Sequence, residues 1–277
     1  MGALLLLELG LRPFGYGSYI VYGSDPELLW VPLPSQAGVT VAGHQPISMN
    51  DQSLRWSKEG VPPAVAFGDS VTMGWGVADD EHFAALSGMA SAGVNAWPTT
   101  LCVRRFEQLA PHLERAVLAY SFNNRMEAVV AAPDNAEFRR GVRVKNTARR
   151  VALYNFVVED LLRRAVYTRV KEDLVDGTWA RGGERLEANQ ALVRTSLERA
   201  IHVAETHEVD LVLLLLGSAG QTEPGPFQQI WRDVAAENAV PLVDVMGMDE
   251  GLFQDHVHPV PEGHRAIAQA LAEHRQQ

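Results

Sequence analysis

Cysteine is almost absent from this sequence of 277 residues: Cys102 stands alone. A single thiol excludes an internal disulfide and a cysteine-based zinc site, and it leaves the redox compartment open. Lysine is scarce too, present only as Lys58, Lys145 and Lys171, so arginine carries most of the basic charge. Basic residues are outnumbered, 24 Lys and Arg against 34 Asp and Glu, for a formal charge of −10. That balance argues against non-specific nucleic-acid binding, which depends on neutralising phosphates. A long hydrophobic run is also missing. Ala3-Leu4-Leu5-Leu6-Leu7 is broken by Glu8 and Arg12, short of the ~20 apolar residues a spanning helix needs. No basic leader or small-residue cleavage site surrounds it. The run is expected to form a short buried or surface helix, with the tail end of a longer membrane anchor as the alternative.

What is present is an ordinary globular composition, 47% hydrophobic and 21% charged. This excludes a disordered chain, a collagen-like repeat and a disulfide-stapled miniprotein. The length suits one large domain or two modest ones with a sizeable core. Residues 13–62 are rich in Gly, Pro, Ser and Asn without a sustained period and read as an extended amino-terminal arm lying on something larger. From residue 63 to 277 the pattern becomes α/β. Ala64-Val65-Ala66-Phe67, Ala116 to Tyr120, Val209 to Leu216 and Pro241 to Val245 are apolar runs suited to buried parallel strands. Helical spacing is expected over 79–90, 99–113, 184–207, 225–238 and 261–275. Residues 124–180, with many Arg and the amphipathic stretch Leu153 to Leu162, read as a helical insertion or lid. Strands alternating with helices imply a doubly wound parallel sheet whose ligand lies at the strands' carboxyl ends.

Four segments can carry chemistry. Ser70, in Gly68-Asp69-Ser70-Val71-Thr72-Met73-Gly74, directly follows a buried strand and opens a helix; it is either a nucleophile or a capping serine. It lacks the Gly-x-Ser-x-Gly elbow, since position 72 is Thr. Asp255-His256-Val257-His258-Pro259 can present an imidazole base and its orienting carboxylate from one turn. It is otherwise a solvated acidic loop. A metal set of Asp255, His256, His258 and His264 finds no second ligand cluster to complete it. Asn123, in Ser121-Phe122-Asn123-Asn124, ends a strand where an amide can reach an oxyanion or simply form a turn. Gly93, in Ala92-Gly93-Val94-Asn95, allows close backbone approach to a ligand.

The order of these pieces resembles the SGNH hydrolases, the GDSL esterase and lipase family, from about Ala64 to Ala272. Gly68-Asp69-Ser70 with Gly74-Trp75-Gly76-Val77 matches the nucleophile block, and Asp255-x-x-His258-Pro259 with Gly263-His264 matches the terminal block. The resemblance implies a three-layer α/β/α, flavodoxin-like fold with a mostly parallel sheet. It implies Ser70 as nucleophile, His258 as base and Asp255 as its orienting acid. The oxyanion hole would comprise the Ser70 and Gly93 amides and the Asn123 side chain. No metal and no organic cofactor are implied. The substrate would be a small-molecule, lipid or glycan ester. Glu8-Leu9-x-Leu11-Arg12 and Asp25-Pro26-Glu27-Leu28-Leu29-Trp30 resemble the opening of membrane-associated bacterial relatives, which implies association through the amino terminus and a cell-envelope location, the cytoplasm being the alternative.

Three departures stand out. Val71 replaces the Leu of the family name, Ser121 stands where Gly is usual, and Asn124 stands where Asp is usual. A Cβ at 121 is expected to narrow the site, and loss of the carboxylate at 124 to loosen the loop holding Asn123. Alongside ester hydrolysis, two readings stay open: acyl transfer to a sugar or other alcohol, and a catalytically weak binding protein on the same fold. Trp75 and Trp97 flank the candidate site, with core packing the simpler reading.

Overall fold

A computed structural model describes residues 2–40, 43–130, 140–141, 144, 147–162 and 183–276. At its centre lies a five-stranded, wholly parallel sheet. Before it come helix α1 (Gly2–Leu11) and two antiparallel hairpins, β1 (Tyr22–Asp25) with β2 (Leu29–Pro32) and β3 (Gln36–Val39) with β4 (Pro46–Met49). The sheet strands are β5 (Ala64–Phe67), β6 (Ala90–Ser91), β7 (Arg115–Ala119), β8 (Asp210–Leu215) and β9 (Leu242–Asp244). The helices around them are α2 (Ser70–Met73), α3 (Phe83–Leu86), α4 (Thr99–Leu109), α5 (Gly183–His207), α6 (Pro226–Glu237) and α7 (Pro261–His274).

The continuous apolar runs became strands because both faces of this sheet are covered. Leu211 to Leu215 are buried without interruption, as a parallel strand between two helical layers must be. Helices α4, α5 and α6 pack on one another along one layer, while α3 and α7 pack together in the other. The sheet order is β6-β5-β7-β8-β9. The chain leaves β5 for one edge and leaves β7 for the other, so the crevice between their carboxyl ends is the topological switch point, where open α/β sheets bind ligands.

Two expectations change. The helix foreseen over 79–90 is confined to Phe83–Leu86, and Ala90–Ser91 instead pairs in parallel with Val65 and Ala66. Gly88, at φ +70°, turns the chain out of the helix. The segment 13–62 holds two hairpins, and its Ile20, Tyr22, Leu28, Leu29, Trp30, Ile47, Met49 and Leu54 join the buried cluster of the sheet. Two indoles tie this segment to the loop after β6: Trp30 Nε1 donates to Asn95 O, and Trp97 Nε1 donates to Trp30 O, each at 3.0 Å. The expected insertion over 124–180 lies largely outside the described residues. In its described part, short helical turns cover Asn124–Val130 and Ala152–Leu162.

Helix α1 turns Leu4, Leu5, Leu6, Leu7 and Leu9 to solvent. Leu11 packs on the cluster of Tyr16, Tyr19 and Ala152, and the Glu8 carboxylate accepts from the Ala152 and Leu153 amides and from Arg12. Those two amides, ahead of the Arg12 contact, hold the Glu8 carboxyl below its ordinary range. Among the described residues, no helix is long and apolar enough to cross a membrane.

Candidate active site

Ser70 opens α2 two residues beyond Gly68, which ends the run out of β5. Asp69 caps that helix, its Oδ1 accepting from Val71 N at 2.9 Å. With the cap taking the Val71 amide, Ser70 N–H is left pointing from the first turn without an acceptor among the described residues. At the other end of the chain, the turn before α7 folds Asp255 back onto His258. Asp255 Oδ1 accepts from Val257 N and His258 N, both at 2.9 Å. The backbone of this turn is fastened by Gln254 N donating to His258 O and by the Phe253–Pro259 bridge.

The structure brings the three predicted residues into one hydrogen-bonded line. Ser70 Oγ lies 2.8 Å from His258 Nε2, and His258 Nδ1 lies 2.8 Å from Asp255 Oδ2. Ser70 and His258 are buried, at 7% and 8% exposure, while the Asp255 side chain is 39% exposed. Burial pushes the Asp255 carboxyl up, but the hydrogen bond and charge of His258 and the two turn amides outweigh it and hold it at about 2. Asp255 is therefore ionised near neutral pH. The Trp75 ring lies 5.8 Å from the imidazole, tilted by 32°. Trp75 is buried beside the site, and Trp97 is fully buried in the core.

Asn123 follows β7 across the switch point. Its Nδ2 donates one hydrogen to Asp69 Oδ2 at 2.9 Å, which leaves the second amide hydrogen for a ligand. Asp69 also accepts from Phe122 N at 2.9 Å. One buried carboxylate thus clamps the Ser70 turn to the Asn123 turn, a role the sequence did not disclose. Desolvation raises the Asp69 carboxyl against the pull of the Val71 and Phe122 amides.

Gly93 N–H donates to Ser91 Oγ at 3.1 Å. A Cβ at this position would collide with the backbone of Thr72 and Met73. Gly93 lets the loop after β6 lie directly against the Ser70 turn. His264, considered as a metal ligand, is buried with Nδ1 accepting from Phe83 N. Burial, with the charges of Arg55 and His258, lowers its pKa to about 3. Among the described residues, no group of His, Cys, Asp and Glu is arranged to hold a metal.

Two of the three departures, Ser121 and Asn124, find hydrogen-bond partners in the structure. Ser121 is fully buried; its Oγ donates to Trp97 O at 2.6 Å and accepts from Asn123 N at 3.1 Å. It fastens the Asn123 turn. Asn124 holds the loop without a carboxylate: its Oδ1 accepts from Thr99 N at 3.2 Å and Thr99 Oγ1 at 2.7 Å, at the start of α4. The next amide of that helix, Thr100 N, lies 3.3 Å from both oxygens of the buried Glu127. An Asp at 124 would set a second buried carboxylate against Glu127.

Glu127 carries a pH prediction. Desolvation raises its carboxyl from 4.5 to about 7, against the hydrogen bonds from Thr100. A folded-state value above the unfolded one means the native state holds the proton more tightly. The cost to stability is absent below pH 4.5, grows between 4.5 and 7, and is complete above 7. It amounts to about 3 kcal/mol. Glu127→Gln is expected to gain on the wild type by roughly that amount between pH 5 and pH 8. Urea unfolding at both values measures it; an unchanged gap rejects the assignment.

No protein-family model matches this chain, and no curated protein matches it. Solved structures do. The psychrotrophic esterase EstA from Pseudoalteromonas sp. is 10% identical, with 77% of this chain and 96% of that chain covered at a TM-score of 0.46. A GDSL-like lipase from Bacteroides thetaiotaomicron is 14% identical, with 76% and 85% covered at 0.40. The acetylxylan esterase Axe2 from Geobacillus stearothermophilus is 13% identical, with 78% and 94% covered at 0.42. The fold is a three-layer α/β/α sandwich on a parallel sheet, as expected from the sequence.

Proposed function

We propose that this chain is a serine-dependent carboxylic-ester hydrolase of the SGNH type. The carrying observation is the continuous line from Ser70 Oγ through His258 to Asp255, with 2.8 Å at each link. In this reading His258 carries its proton on Nδ1, held by Asp255, and Nε2 accepts the Ser70 proton as Oγ bonds to the substrate carbonyl carbon. The carbonyl becomes an oxyanion, stabilised by Ser70 N–H and the free Asn123 amide hydrogen. Collapse breaks the ester C–O bond, and His258 returns its proton to the departing alcohol. Water then attacks the acyl-enzyme, again giving a proton to His258, and release of the carboxylic acid restores Ser70. Every group named is the chain's own, and no step requires a metal or an organic cofactor.

The test needs no natural substrate. An alkyl fluorophosphonate reacts with an activated serine, and peptide mass spectrometry locates the adduct. The expected adduct sits on Ser70 and is absent from Ser70→Ala. A folded wild type that takes no label removes the hydrolase reading and leaves the binding-protein reading. If Ser70 is labelled, product analysis with an ester, with and without a sugar alcohol, separates hydrolysis from acyl transfer.

A further inference from the structure

We infer that Arg55, in the amino-terminal segment, is a positioning residue for the reaction at Ser70, because its buried guanidinium sets the backbone of the turn that carries the nucleophile. The inference rests on the ester-hydrolase reading. Arg55 is 2% exposed. A guanidinium has five N–H donors, and here each has an acceptor. Nη1 donates to Met73 O at 2.7 Å and Gly74 O at 2.9 Å. Nη2 donates to Val77 O at 2.8 Å and Pro46 O at 3.3 Å. Nε donates to Asp79 Oδ1 at 2.7 Å. Asp79 is itself fixed by the hydroxyl of Ser48 at 2.6 Å.

Three of those carbonyls belong to the exit from α2. That helix is a single turn, too short to hold its own geometry. Gly74 leaves it in the left-handed region at φ +76°, and a Cβ there would come 2.6 Å from Arg55 Nη1. The backbone of Arg55 is anchored independently of its side chain. Arg55 N donates to Ser91 O at 2.8 Å, and Ser91 N donates to Arg55 O at 3.2 Å. The Ser91 hydroxyl donates to Thr72 O at 2.7 Å. The pair therefore grips three successive carbonyls, those of Thr72, Met73 and Gly74.

The grip reaches the reacting atoms through two short connections. Trp75 N donates to Ser70 O at 3.0 Å, tying the exit of the turn to the nucleophile. The Trp75 ring lies against His258, and Gln254, four residues before His258, donates to Trp75 O at 2.7 Å. A shift of residues 73–77 moves both partners of the Ser70–His258 hydrogen bond. A well-packed apolar side chain commonly supports a fold as well as a buried ion pair does. What it lacks is the planar fork that meets carbonyls on two sides while Nε holds Asp79.

The experiment measures the rate of Ser70 phosphonylation by an alkyl fluorophosphonate, per folded molecule, in the full chain. Wild type, Arg55→Ala and Arg55→Lys are compared, with circular dichroism reporting the folded fraction. Arg55→Ala is expected to lose about 10²-fold in rate, the scale of an ångström-sized misplacement. Methylguanidine, which refits the vacated space, is expected to restore part of that loss, and methylammonium is not. Arg55→Lys keeps the charge and the stem but not the fork, and is expected to stay slow. Folded Arg55→Ala labelled within about twofold of wild type, or Arg55→Lys labelled at the wild-type rate, overturns the inference. So does failure of both variants to fold, which would make the guanidinium a support of the fold alone. An unlabelled wild type is a different failure, visible before any variant is made: it removes the ester-hydrolase reading, and the inference with it.

Discussion

His258→Ala loses about 10⁶-fold in the rate of ester turnover, and Asp255→Asn about 10⁴-fold, if the line from Ser70 to Asp255 works as a unit. The asymmetry follows from the geometry. His258 touches the nucleophile, so its removal leaves Ser70 with no base. Asp255 touches only the far nitrogen of the ring, and Asn in its place can offer an N–H where His258 Nδ1 carries its own, which favours the wrong tautomer. The double variant is expected to be hardly slower than His258→Ala, because orienting an absent imidazole gains nothing. Asp255, held at about 2, is ionised across the neutral and mildly acidic range. As a depressed carboxyl, Asp255 contributes stability that is present above 3.8 and is lost as the pH falls toward 2. Steady-state rates on a p-nitrophenyl ester, with the melting temperature of each variant, supply the measurement. Equal losses for the two single variants would contradict the assignment of base and orienter.

The second large effect is expected away from the triad. Asp69→Ala removes the acceptor that receives Val71 N, Phe122 N and Asn123 Nδ2. The Asn123 side chain then loses its anchor, and the oxyanion loses a donor of fixed direction, a change typically worth about 10²–10³ in rate. Asn123→Ala should cost a similar factor. The two together should cost little more than either, since both remove the same contribution. Additive losses would mean that Asp69 acts on Ser70 directly rather than through Asn123.

Much of the architecture was legible because its signals are local. Val65 to Phe67 and Leu211 to Leu215 are unbroken apolar runs, which a strand covered on both faces requires. Ser70 and Asn123 stood out because each closely follows such a run, and Asp255 and His258 because they stand three positions apart, within one turn. What escaped the sequence lacked a local signal. Strand β6 is two residues long, too short to show a period. Hairpins β1–β2 and β3–β4 lie in Gly- and Pro-rich sequence whose apolar residues are spaced by turns. The contact of Gly93 N–H with the Ser91 hydroxyl has no local signal in Ser91-Ala92-Gly93. Arg55 and Asp69 act mainly on backbone amides and carbonyls, and any residue supplies those, so no motif marks them. Glu127 likewise has no local signal for its burial.

The bridge between Arg55 and Ser91 has a consequence for how these molecules behave toward one another. A parallel sheet ends in a row of unpaired amides and carbonyls, an invitation to a strand from another molecule. Here the β6 edge is brief, and the backbone of Arg55 occupies it with a reciprocal pair of hydrogen bonds. The amino-terminal segment thereby closes one flank of the sheet against edge-to-edge association, and it does so with a single residue whose side chain is turned inward to other work.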